Sequence, residues 1–365
     1  MHRGRVAAVP LVAAAVLAIV GCGGVVAAAS SPSSPSAVKA PMAVGKAVGQ
    51  LIIATYNGAT PSASILAAVR AGDVGAIILM GDNTGDSVAV TRRATDALQH
   101  AAKLGHNPGL LIMTDQEGGE VKRLPHGPPA YAAAQMSNPK RAAYQGYQTG
   151  LLLKRAGVNV DLAPVADVSV IDGFMTQEQR TFGSSAAVVA RAACAFAGGL
   201  KRAGIAYTLK HFPGLGDAEL STDTKAVDVT QSAAGIRADD AAYRSCDHGP
   251  LAVAMVSSAS YKHLTGNLPA VIAPVIYRTV LPGDGVNALI ISDSFETPAI
   301  SQWSHPARRA LAAGLDMVMY PGEESAALSA YPALVADVNH GALSRTRVTA
   351  AAERVLALKR ALGLG

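Results

Sequence analysis

Eight short apolar runs rich in β-branched residues recur along the chain, alternating with alanine-rich segments of helical character. The runs fall at residues 50–56, 75–80, 109–116, 158–167, 206–213, 252–260, 287–294 and 316–321. They are apolar nearly throughout, the pattern of strands covered on both faces. Helices are predicted between them, among others at 61–71, 86–103, 184–203 and 323–338, with a closing helix near 344–362. Gly105, Gly157, Gly204 and Gly314 stand where these helices should end and turn into the next strand. Eight β-α units in one chain favour a closed α/β barrel of the (β/α)8, TIM-like kind over an open doubly wound sheet. No glycine-rich phosphate loop follows the first run, which argues against a dinucleotide fold.

The first residues have a different pattern. His2, Arg3 and Arg5 precede an apolar stretch from Val6 to Val20 that is short for a membrane span and has the flanks of a secretory leader. The stretch closes on Gly21-Cys22, the arrangement of a bacterial lipoprotein signal. Residues 1–21 are therefore read as a signal peptide and Cys22 as the lipidated first residue of an exported, membrane-anchored protein. From there to about residue 44 the chain is mostly Ala, Ser, Pro and Val, unable to bury a core, and is read as a flexible tether. Residues 45–365 form the expected single barrel domain.

Composition narrows the picture further. The formal charge is +5 for all 365 residues, and loss of Arg3 and Arg5 with the leader leaves +3. With no run of Lys or Arg and no basic-aromatic interleaving, nucleic acid is not expected as a partner. A monomer is expected. Apart from Cys22 the cysteines are Cys194 and Cys246, both in helical stretches. An exported protein meets oxidising conditions, so either a disulfide between them or two buried thiols is open. Neither has metal-ligand spacing, and no metal or organic cofactor is implied.

Active sites of such barrels lie where the C-terminal strand ends open into loops. Here the third run ends in Asp115-Gln116-Glu117-Gly118-Gly119, and the fourth carries Asp161 and Asp167. The fifth ends in Lys210-His211, the sixth in Ser257-Ser258 and the seventh in Ser292-Asp293-Ser294. Any one of these could be a helix cap. Five strands delivering carboxylates, cations and hydroxyls to one rim instead suggest an enzyme acting on a polar substrate.

Five segments sharpen that class. Residues 115–123 (DQEGGEVKR) carry the pattern D-x-E-G-G-x-V-x-R, and 158–167 (VNVDLAPVAD) hold A-P-V-x-D. Arg180-Thr181-Phe182-Gly183, Lys210-His211-Phe212-Pro213-Gly214 and Ile291-Ser292-Asp293 follow in order. Collinear over nearly the whole domain, they resemble the N-terminal catalytic barrel of glycoside hydrolase family 3, especially its single-domain bacterial β-N-acetylglucosaminidase (β-hexosaminidase) lipoproteins. The resemblance implies that Asp293 is the nucleophile of a retaining glycosidase, attacking the anomeric carbon. It also implies that Asp115, Arg180, Lys210 and His211 hold sugar hydroxyls. Arg123 is grouped with these substrate-binding residues; it and Glu117 could equally brace the rim through an ion pair. Asp161 and Asp167 read as structural, and Gly118 and Gly119 as serving a special backbone conformation.

One segment departs from the pattern. Single-domain members of the family carry an acid/base histidine in a D-S-H triplet on the loop after K-H-F-P-G. Residues 214–225 (GLGDAELSTDTK) contain none: Leu215 stands at the first loop histidine, and Lys225 where the triplet histidine belongs. Asp223, Glu219 or Asp217 could serve as acid directly, and Asp223 aligns with the triplet's aspartate, with Thr222 and Thr224 able to orient its carboxyl. The enzyme could otherwise be confined to substrates with good leaving groups. The expected function is removal of terminal β-linked N-acetylhexosamine from cell-wall-derived glycans. Two rivals remain: a non-catalytic glycan-binding lipoprotein with a degenerate site, and a Schiff-base enzyme using Lys210.

Overall fold

The computed structural model describes residues 42–365, together with Met1, Pro10, Leu11, Ala13 and Ala15. It separates into Met1–Pro41 and a compact unit Met42–Gly365. Cys22 and the leader read around it lie outside the described residues.

Within the compact unit eight parallel strands close into a barrel: β1 (Ile52–Ala54), β2 (Ala76–Leu79), β3 (Leu111–Thr114), β4 (Val160–Asp161), β5 (Ala206–Phe212), β6 (Ala252–Val256), β7 (Leu289–Ser294) and β8 (Met317–Met319). Each pairs with its neighbours in sequence, and β8 returns to β1 with Val318 opposite Ile52. All eight predicted runs contain one of these strands, and the helices Ala63–Ala71, Val88–Leu104, Ala186–Ala203, Glu324–Asn339 and Arg345–Ala361 fall where the pattern placed them.

The strands are apolar on both sides because two cores meet on them. Ile53, Ala76, Leu111, Val160, Ala206, Val253, Leu289 and Met317 fill the barrel. Their alternates Ile52, Ile77, Ile112, Leu209 and Val318 pack outward against the helices. The fourth run is much shorter as a strand than its apolar pattern suggests. Pro164 offers no N–H to a ladder, so the regular strand ends at Asp161; the chain beyond stays buried, with Leu162 N–H donating to Thr114 O, Thr208 N–H to Ala163 O and an isolated bridge from Val165 to Lys210.

Cys194, on the helix Ala186–Ala203, is disulfide-bonded to Cys246, just after the helix Ala241–Ser245. Among the described residues no helix is long and apolar enough to cross a membrane, and no group of three His, Cys, Asp or Glu could hold a metal ion.

Candidate active site

The two-residue period of a strand explains how charge reaches the mouth. The inward row of β3 reads Leu111, Met113 and then Asp115; that of β5 reads Ala206, Thr208 and Lys210; that of β7 reads Leu289, Ile291 and Asp293. Each row is non-ionic inside the barrel and ionisable where it emerges. Between Leu209 and Phe212 the pairing with β6 shifts register. Strict alternation is thereby lifted, and His211 faces the mouth beside Lys210. Together these side chains open onto a pocket of about 220 Å³, floored by Ile78, Leu162, Met255 and Met319. Asp115, Arg123, Arg180, Lys210, His211, Asp223 and Asp293 all line it.

An alternating ion-pair chain forms one side. Arg180 grips Glu117 with two parallel hydrogen bonds, Nε to Oε2 and Nη2 to Oε1, both 2.9 Å. Glu117 Oε1 meets Lys210 Nζ at 2.6 Å, and the same ammonium donates to Asp115 Oδ1 at 2.6 Å. Arg123 completes the chain 3.7 Å from Asp115 Oδ2. Glu178 also accepts from Arg180 Nη1 at 3.3 Å, so three cations meet three carboxylates along the chain. Burial alone would raise the Glu117 pKa, but Arg180 and Lys210 outweigh it and hold the carboxyl down to about 2. Burial likewise works against charge on Lys210, yet Asp115 and Glu117 keep its pKa above the ordinary value. A lysine so held stays protonated, the opposite of what a Schiff-base nucleophile needs.

Glu117 does not line the pocket; it braces Arg180 and Lys210 from behind. Its hairpin turns on Gly118 (φ +107°), where a Cβ would stand 2.2 Å from the Tyr131 carbonyl oxygen, so the special backbone read into Gly118 is present. Asp161 lies fully buried beneath the chain of charges. One of its oxygens accepts from the Gln116 N–H (3.1 Å) and the other has no partner. Burial, only partly offset by that hydrogen bond and by Lys210, raises its pKa well above the carboxylate range.

Asp167 organises the next segment. It is fully buried and accepts from the backbone N–H of His211 (3.1 Å) and Leu215 (2.7 Å). As the acceptor of both, it also takes the Nδ1–H of His211 at 2.8 Å, which leaves Nε2 free. Asp167 is thus structural in the sense expected: it fixes the imidazole that enters the pocket.

Asp293 accepts from the Ser294 N–H (2.8 Å) and from Ser258 Oγ (3.3 Å). Of the three loop acids considered, only Asp223 reaches the pocket; Asp217 and Glu219 do not line it. Asp223 is exposed at the mouth, yet desolvation by the surrounding loops and the nearby Asp293 charge raise its pKa, against the weaker pull of His211 and Arg180. The hydroxyl that reaches its carboxyl is that of Ser221 (3.4 Å). Thr224 instead donates to the Ser221 carbonyl, because the loop turns back on itself there. Phe174 and Met175, which the sequence reading missed, form part of the wall. A pair of bulky apolar residues in a polar loop was the available signal.

A closed parallel barrel with carboxylates and cations at its C-terminal mouth is the architecture of a barrel enzyme for polar substrates. The chain belongs to glycosyl hydrolase family 3: residues 43–358 match its N-terminal domain. It is 32% identical to an "Uncharacterized secreted glycosyl hydrolase" of Arthroderma benhamiae, over 89% of this chain and 96% of that protein. Among solved structures it resembles a β-N-acetylhexosaminidase from Beutenbergia cavernae (30% identity, TM-score 0.77), covering 87% of this chain and 99% of that one. It also resembles a family 3 β-N-acetylglucosaminidase from Paenibacillus sp. str. FPU-7 (27% identity, TM-score 0.82). There the match covers 88% of this chain but 63% of the longer relative.

Proposed function

We propose that this protein is a retaining glycosidase that removes terminal β-linked N-acetylhexosamine from cell-wall-derived glycans. On this reading it is exported and held at the outer face of the cell membrane by lipid on Cys22. Asp293 attacks the anomeric carbon while Asp223 gives its proton to the departing glycosidic oxygen. Water then attacks the glycosyl-enzyme, passing a proton to Asp223 and freeing Asp293. Asp115, Arg123, Arg180, Lys210 and His211 hold the sugar. The observation that carries the reading is the meeting of Asp223 and Asp293 in one pocket, where the charge of the second works to raise the pKa of the first.

Two experiments test it. A 5-fluoro glycosyl fluoride of N-acetylglucosamine should label Asp293, and labelling of another carboxylate in active enzyme would remove Asp293 from the role. Asp223→Ala should cut turnover of chitobiose by roughly 10²–10⁴-fold yet largely spare the first step on nitrophenyl glycosides, whose leaving group needs no proton. Equal loss on both substrates would make Asp223 structural. Sugar binding without turnover by the wild type would favour a non-catalytic binding lipoprotein.

A further inference from the structure

Charge is divided between the two ends of the barrel. The loops at 168–178 and 214–225, beside the mouth, carry Asp172, Glu178, Asp217, Glu219 and Asp223 against the single cation Lys225. The opposite end has the reverse balance. Each helix of such a barrel runs back against the strands, so its last turn lies at the base, where the next strand begins. Arg70, Lys103, Lys154, Arg155 and Arg202 are exposed in the last turns of the helices Ala63–Ala71, Val88–Leu104, Pro139–Ala156 and Ala186–Ala203. Among the described residues none of the five has a carboxylate partner, whereas Lys201 is held by Asp247 and Arg92 by Asp96. Arg202 lies over the Tyr147 ring, 4.1 Å from its centroid, and keeps its charge. Lys103 and Lys154 border a groove of about 800 Å³ at this end, and Leu104, next to Lys103, is half exposed. The helix macrodipole favours cations in these last turns, but it favours acids in the first turns equally, and all four helices have none there. The dipole therefore does not account for a bias toward one sign.

The chain enters the compact unit at the same end. In the helix Val44–Gln50, Lys46 Nζ donates to Ala71 O and to Asn107 Oδ1, both at 2.7 Å, and a Cβ on Gly49 would stand 1.9 Å from Gly72 O. Residues 71, 72 and 107 lie just before β2 and β3, so this helix runs along the base. The segment read as a tether from Cys22 thus joins the barrel at its base, and a tether of about 20 residues reaches roughly 25 Å. An anionic surface at that distance attracts the base and repels the carboxylates beside the mouth.

We propose that the base of the barrel docks on an anionic phospholipid surface through Arg70, Lys103, Lys154, Arg155 and Arg202, turning the mouth away from the membrane. The proposal rests on the Cys22 anchor of the reading above and adds a second, electrostatic attachment to it. For the test, full-length protein is bound to phosphatidylcholine vesicles with or without about 30% phosphatidylglycerol. Energy transfer to a headgroup dye is read from a dye placed by Leu104→Cys at the base or by Leu220→Cys at the mouth. Transfer from the base should be strong only with phosphatidylglycerol and should fall at about 1 M salt, while the mouth stays remote. The Lys103→Gln, Lys154→Gln, Arg155→Gln triple variant should weaken the docked-to-undocked equilibrium on the order of 100-fold, at roughly fivefold per cation. Its turnover of soluble chitobiose should not change, because all three positions are exposed at the end away from the pocket. Equal transfer from the base on both vesicles, stronger transfer from the mouth, or an unaltered triple variant overturns the docking with the anchor intact. Capture by soluble polyglycerol phosphate but not by vesicles assigns the base to a wall polymer and also overturns it. Protein held by phosphatidylglycerol vesicles but washed off by salt keeps the docking and removes the Cys22 anchor; attachment to neither vesicle overturns both.

Discussion

Two lysines are buried at opposite ends of the barrel, and they solve the same problem in opposite ways. Lys210, at the C-terminal end of β5, is 2% accessible and paired with Asp115 and Glu117. Lys359, near the closing end of the chain, is fully buried and donates 2.7 Å to the Gln50 amide oxygen just before β1. Carboxylates lift the first pKa; desolvation drops the second to about 7. Burial therefore does not decide the charge of a lysine; the charge of its partner does. The mouth holds a permanent cation suited to a polar ligand, and the base of the barrel holds an ammonium that gives up its proton.

The strongest way to break this contrast is Lys210→Met. It leaves Asp115 and Glu117 facing each other above Asp161 without their shared cation. A loss of about 3–5 kcal/mol is expected, as for a buried pair stripped of one partner. Urea unfolding at pH 7 measures it; a loss below 1 kcal/mol would mean the rim charges are solvated.

Glu117→Gln tests the next link. A pKa held at about 2 against an ordinary 4.5 is stability present above the unfolded value and lost as pH falls through the folded one. Wild type should therefore lose about 3 kcal/mol between pH 4.5 and 2 on account of this group. The variant should lack that part of its acid sensitivity, read from unfolding midpoints across this range.

Lys359 gives the most diagnostic effect, because its sign is opposite to that expected of a paired lysine. Its folded pKa lies below the unfolded 10.5, so the unfolded chain binds the extra proton between pH 7 and 10.5. Stability should rise with pH across that window by up to about 1.4 kcal/mol per unit, and level off below pH 7 once the folded lysine is protonated too. Lys359→Met should remove this rise even if the orphaned Gln50 amide costs something of its own. Equal slopes for variant and wild type would show Lys359 to be solvated.

The barrel was legible because its signals are local. An apolar run covered on both faces and a glycine at a helix end are each written in a few consecutive residues. Asp115, Lys210 and Asp293 could be placed at the rim for the same reason, since each continues an inward-facing row. The shift of register near His211 was not legible, and neither were Phe174 and Met175, which enter the pocket only because the loop at 168–178 folds against the one at 214–225. The orientation of Asp223 by Ser221 rather than by its adjacent threonines likewise depends on how that loop turns.

By itself the sequence determined the eightfold alternation, the types of ionisable residue at the mouth and the absence of a histidine between residues 214 and 225. Tertiary structure decided which partners those residues have. Arg180 lies 63 residues from Glu117, and Gln50 lies 309 from Lys359. Cys194 and Cys246, which the sequence left equally able to pair or stay free, are 52 apart and joined. The reason is physical: periodicity assigns a side chain to a face, but its charge, tautomer and bonding follow from the groups that long-range folding brings within a few ångströms.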